Sequence, residues 1–112
     1  MNYSKLKFSS LCILFTVVLF ASCKSPIVYI AGFEGTHYGD AILWKNGIAQ
    51  NLSDGSEPAS AESVFVLGKD VFVVGHERNE SGNWVAKLWK NGIAQNISSE
   101  TFDASAGSIF VK

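Results

Sequence analysis

From residue 27 onward the apolar residues fall in short runs separated by glycine and small polar residues, and none recurs with the 3.6-residue helical period over a dozen positions. Such runs point to strands. They comprise Val28–Gly32, Ala41–Lys45, Ser63–Leu67, Val71–Gly75, Val85–Lys90 and Ser108–Val111, with Ile48–Asn51 and Ile93–Asn96 each following an Asn-Gly pair. Val71–Val74 is apolar at every position, the pattern of a strand covered on both faces. The stretches 53–62 and 98–107 are polar, rich in small residues, and read as loops.

The same pattern repeats on a longer scale. Trp44–Asn51 (Trp-Lys-Asn-Gly-Ile-Ala-Gln-Asn) recurs unchanged as Trp89–Asn96, 45 positions later. Asn-Gly is the strongest short hairpin signal, because a two-residue type I′ turn needs positive φ at both central positions. With Asn46-Gly47 as the turn, Lys45 faces Ile48, Trp44 faces Ala49 and Leu43 faces Gln50, so each indole lies beside a methyl group. Trp44 and Trp89 are therefore expected in the core of a repeated hairpin. The repeat divides the chain into one unit at 27–69 and a second at 70–112, joined by a tight turn at Gly68-Lys69-Asp70. The first strands are offset by 43 positions rather than 45, which puts two extra residues in the second unit between Gly75 and Trp89 and marks a surface loop. The expected fold is all-β: two four-stranded antiparallel units of the kind that form the blades of a partial β-propeller.

The amino-terminal segment carries an address. Lys5 and Lys7 precede the apolar run Leu11–Ala21, which is the size of a signal-peptide core and short for a membrane span. Leu19-Phe20-Ala21-Ser22-Cys23 follows, and it resembles a bacterial lipobox, with Phe20 standing where leucine is commonest. The resemblance implies that residues 1–22 form a lipoprotein signal peptide, helical and removed, and that the Cys23 thiol and new amine are acylated. Several acyl chains anchor a protein stably. Residues 23–26 would then be the lipidated cysteine and a short tether. The expected location is the cell envelope, on the outer membrane in preference to the inner. Loss of Lys5 and Lys7 takes the net charge from −1 to −3.

The repeats themselves, Val-Tyr-Ile-Ala-Gly followed by Leu-Trp-Lys-Asn-Gly and Ser-Val-Phe-Val-Leu-Gly-Lys-Asp-Val-Phe-Val-Val-Gly, are similar to those of bacterial propeller-type repeat lipoproteins. That resemblance implies an exported β-repeat protein and no particular activity. Two units fall short of the three or more that repeat arrays need. The chain is thus expected to be a piece of a longer repeat protein, the favoured reading, or to close by self-association.

Composition narrows the chemistry. With a net charge of −1 and no basic stripe, nucleic acid is not an expected partner. Cys12 and Cys23 both lie in the first quarter of the chain, which excludes a disulfide framework. His37 and His76 do not occupy equivalent repeat positions and read as loop residues; no metal site, cofactor site or catalytic constellation is visible. Ser53-Asp54-Gly55-Ser56 reads as a turn, and the formal sequons at Asn51 and Asn96 as strand ends. Glu34 and Glu77 are repeat-equivalent acids just past a strand end, suited to a cation or a sugar hydroxyl. Trp84 is the tryptophan without a repeat mate, aligned with Gly39, and is the aromatic best placed for ligand contact. The expected function is non-catalytic: a membrane-anchored binding or scaffold module that meets a glycan or an envelope protein. The alternatives are a fragment of a polysaccharide hydrolase and a non-functional gene remnant.

Overall fold

The computed structural model describes residues 25–36 and 39–112. Seven strands run in order: β1 (Tyr29–Glu34), β2 (Asp40–Lys45), β3 (Ile48–Asn51), β4 (Ala59–Leu67), β5 (Asp70–Arg78), β6 (Trp84–Lys90) and β7 (Ile93–Asn96). They form two open antiparallel sheets, three-stranded β1-β2-β3 and four-stranded β4-β5-β6-β7. The described residues contain no helix. Residues 1–22, expected as a signal-peptide helix, and Cys23 lie outside them, as does His37.

The hairpins follow the asparagine–glycine signal. Asn46 and Gly47 have φ of 50° and 84°, and Asn91 and Gly92 have 52° and 84°, as a type I′ turn requires. The register is Lys45↔Ile48, Trp44↔Ala49 and Leu43↔Gln50, with the same pairing in β6–β7. Each turn asparagine also clamps the neighbouring segment, at Val28 just before β1 or at Val71 in β5. The Val28 and Val71 amides donate to the Asn46 and Asn91 Oδ1 atoms at 2.9 and 2.8 Å, and the asparagine amides donate back to the same valines' carbonyls.

The expected pair of matching four-stranded units is not found, and nor is a propeller's closed set of sheets. The strand expected to end the first unit, β4, opens the second sheet. Gly68, with φ of 62°, and Lys69 form a two-residue turn that fixes Leu67 opposite Asp70, so β4 and β5 must pair. The chain changes sheets in the longer 52–58 loop. The strand expected at Ser108–Val111 is also absent: residues 103–112 cross the outer face of the four-stranded sheet as irregular chain, with Phe110 edge-on to Phe65 at 5.1 Å.

The core lies between the sheets. Ala41, Leu43 and Leu52 meet Ala59, Ala61, Val73 and Trp89, with Tyr29, Ala31, Val64 and Val71 packed around them. Val73 and Val74 are 1% and 4% exposed on opposite faces of β5, as its unbroken apolar run implied. Trp89 is fully buried, whereas its repeat mate Trp44 is only half-buried on the outer face of the three-stranded sheet. A register shift between Ala61 and Ser63 carries β4 close over β5, where a Cβ on Gly75 would strike the Ser60 carbonyl.

Candidate functional site

Strand pairing puts Gly75, Glu77, Val85, Lys87 and Trp89 on the inner face of the four-stranded sheet. At the end away from the Asn-Gly turns this face outruns the core, and the 52–57 loop stands over it. The result is a cleft of about 430 Å³, within the size range of small-ligand sites. The Lys87 ammonium lies 3.5 Å from Glu77 Oε1, and both side chains are mostly buried, at 18% and 16% exposure. Burial pushes the Glu77 carboxyl above the ordinary glutamate range, and the positive charge of Lys87 opposes that shift. Asp54, on the opposing loop, is held below the usual aspartate range because the Ser56 hydroxyl and amide both donate to it, at 2.7 and 2.9 Å. These bonds make 53–56 the turn expected from the sequence, with Gly55 at a φ of 83°.

The far wall is also pinned. The Asn79 side chain accepts from the Asn83 amide, and both asparagine side chains donate to the Glu100 carbonyl at 3.0 Å. The Asn96 amide group donates to Glu100 Oε2 at 2.7 Å, tying the end of β7 to the same loop. Five carboxylates (Asp54, Glu57, Glu77, Glu80 and Glu100) and two cations (Arg78 and Lys87) line the cleft, interleaved with asparagine and serine. Such a lining repels anions and offers both donors and acceptors to a hydroxyl-bearing ligand.

The three candidate residues do not converge. Glu77 lines this cleft, but it sits inside β5 rather than past its end. Glu34 ends β1, is exposed, and lies across from Asp40. The position of Lys87 is taken by Ile42 in the first unit, so Glu34 has no repeat mate of Lys87 to pair with. Trp84 starts β6 on the opposite face of the sheet, half-buried, with its ring 4.9 Å from His76 in an edge contact. Together with Asp103, Ala104 and Ser105 these rings line a second hollow of about 410 Å³. His76 is therefore a half-buried strand residue and not the loop histidine expected, and its Nδ1 is buried without a hydrogen-bond partner.

Sequence reasoning passed over Lys87 and Asn79, and it read Asp54 as a turn residue and Asn96 as a strand end without assigning either to a site. One signal was present for Lys87: it interrupts the apolar run Val85–Trp89 two residues before the tryptophan, and so on the tryptophan's face. Among the described residues no group of three or more His, Cys, Asp or Glu is placed to hold a metal ion, and no helix is long and apolar enough to cross a membrane. The chain matches no protein-family model, no curated protein and no solved structure. The similarity to propeller-type lipoproteins thus rests on the residues quoted for it alone.

Proposed function

We propose that the protein is a lipid-anchored binding module of the bacterial cell envelope. In this reading acylated Cys23 fixes it to a membrane, and the Glu77–Lys87 cleft takes a neutral, hydroxyl-rich ligand of the oligosaccharide class. The cleft carries the reading: its donors and acceptors alternate and are held in place before any ligand arrives, which lowers the ordering cost of binding. A non-catalytic role fits the same geometry. Glu77 is tied to Lys87, and His76 lies on the other face of the sheet, out of reach as a base for Ser53 or Ser56. The test is a screen of neutral envelope oligosaccharides by amide chemical-shift mapping. Shifts should centre on residues 54–57, 77–80, 87 and 96. An absence of shifts across the screen, or shifts centred on Trp84, counts against this assignment. For the anchor, Cys23→Ser should move the protein from the membrane to the soluble fraction and abolish acyl labelling; membrane retention without label would show that lipid does not hold it.

A further inference from the structure

The two repeats differ in what covers them. β5 is flanked by β4 on one side and β6 on the other, but its repeat mate β1 pairs with β2 alone among the described residues. The exposures record the difference. Ile30 is 55% exposed, whereas the equivalent Val73 is 1% exposed; Trp44 is half-buried and Trp89 wholly buried. Glycine placement agrees. Gly75 is needed because the Ser60 carbonyl of β4 passes over it, yet its mate Gly32 has only the Trp44 ring near it and no passing backbone. The three-stranded sheet thus has a place shaped for a fourth strand.

The matching strand exists in the chain. Ala104–Lys112 is the repeat mate of Ala59–Leu67, 45 positions on, with Ala-Ser-Ala at the start of both and Ser-(Val/Ile)-Phe-Val further along. It lies on its sheet as β4 lies on the other: the Ala59 amide donates to the Gly39 carbonyl at 3.0 Å, and the Ala104 amide to the carbonyl of the aligned Trp84 at 2.8 Å. What it lacks is a strand on its far side. Phe110 is 75% exposed, while Phe65, paired with Phe72, is half-buried. This segment lies on the face of the four-stranded sheet turned away from the three-stranded sheet, so within one chain a sheet separates it from β1.

We propose that Ala104–Lys112 of one copy adds to β1 of a second copy as an antiparallel edge strand. The β4–β5 register, carried across by the repeat, sets the pairing: Ile109 opposite Ile30, Phe110 opposite Tyr29, Ser108 opposite Ala31 and Ala106 opposite Gly32. Val74 and Ala86 of the donor are already buried, so the Ile30–Trp44 face of the acceptor then packs on Leu88 and on the Ala104–Ala106 stretch of the donor, as the Val73–Trp89 face packs on Leu43, Ala59 and Ala61 within one chain. Main-chain bonds supply affinity in such strand addition, and the alternating side chains supply register. The contact is head-to-tail, using different surfaces on the two copies.

The test uses the full chain in detergent with Cys12→Ser and Cys23→Ser as background. Ile30→Cys and Ile109→Cys variants are mixed and oxidised. A disulfide-linked dimer should form in the mixture and not from either variant alone, and pairing Ile30→Cys with Phe110→Cys, one residue out of register, should lose most of that product. Independently, the wild-type chain should have a molar mass that is a multiple of one chain. Ser108→Pro, which removes the amide that would donate to the acceptor's Ala31 carbonyl and that makes no backbone hydrogen bond within the single chain among the described residues, should reduce it to one, with an unchanged circular dichroism spectrum. A single-chain mass for the wild type, no cross-link in the mixture, or equal cross-linking of Ile30→Cys with itself overturns the proposal.

Discussion

Trp89 offers a stability test that separates two effects at one site. Its side chain is wholly buried between the sheets, against Val73, Leu43 and Ala61, but its Nε1–H is buried with no acceptor. Trp89→Ala removes the largest wholly buried side chain and opens a cavity that two hydrogen-bonded sheets cannot close, so a loss of about 3–5 kcal/mol is expected. Trp89→Phe loses far less. The apolar area given up is on the order of 40 Å², which at about 25 cal/mol per Å² is about 1 kcal/mol. Removing an unpartnered buried donor returns about 1–3 kcal/mol. Set against each other, the two contributions leave the phenylalanine variant between about the wild-type stability and about 2 kcal/mol above it. The assay is urea unfolding of the 24–112 segment followed by far-ultraviolet circular dichroism, since tryptophan fluorescence changes with the substitution itself. If Trp89→Phe costs as much as Trp89→Ala, the indole N–H is satisfied in solution and the reasoning fails.

Other outcomes follow from the same contacts. Gly75→Ala drives a Cβ into the Ser60 carbonyl and should cost about 1–3 kcal/mol, read as a lowered urea midpoint; an unchanged midpoint would mean that the β4 bulge yields freely. Asn91→Ala combines about 1–2 kcal/mol of left-handed backbone strain with the loss of the Val71 amide's acceptor, so a total of about 2–3 kcal/mol is expected, and Asn91→Gly should recover the strain component alone. Burial raises the Glu77 carboxyl in the folded state, so its contribution to stability is fullest below the ordinary glutamate value and is lost as pH rises through the raised one. Carbon-detected titration should find that Lys87→Met moves the Glu77 midpoint further up, because the opposing positive charge is gone; a downward move would contradict the pairing. Asp54 runs the other way: its hydrogen bonds to Ser56 stabilise the fold above the usual aspartate value and are lost as pH falls, a dependence that Asp54→Asn should remove.

Local structure was legible in the sequence to the residue where a short turn dictated it. Asn46-Gly47 and Asn91-Gly92 set both hairpin registers, because two central residues leave no freedom in which positions face each other. The grouping of strands into sheets was not read correctly. A tandem repeat gives the length of its unit but not the point at which hydrogen bonding breaks, and the chain was cut at Gly68-Lys69, a two-residue turn that forces pairing. The break falls instead in 52–58, where a longer loop lets the chain leave one sheet for the next. The site was legible only in part. Glu77 could be picked out as a repeated acid, but its partner Lys87 stands two residues from Trp89 on another strand, and pairing across the β5–β6 register was needed to bring them together. Trp84 and Glu77 were both candidates for ligand contact, but alternation along neighbouring strands sends them to opposite faces.

The most direct test of the binding site is calorimetric titration of the best oligosaccharide from the screen into three proteins: wild type, Lys87→Met and Trp84→Ala. Loss of a charged hydrogen-bond donor inside the cleft should weaken binding by about 10-fold or more, while Trp84→Ala, on the far side of the sheet, should leave the affinity unchanged. Full affinity in Lys87→Met together with its loss in Trp84→Ala would place the ligand on the outer face and contradict the account.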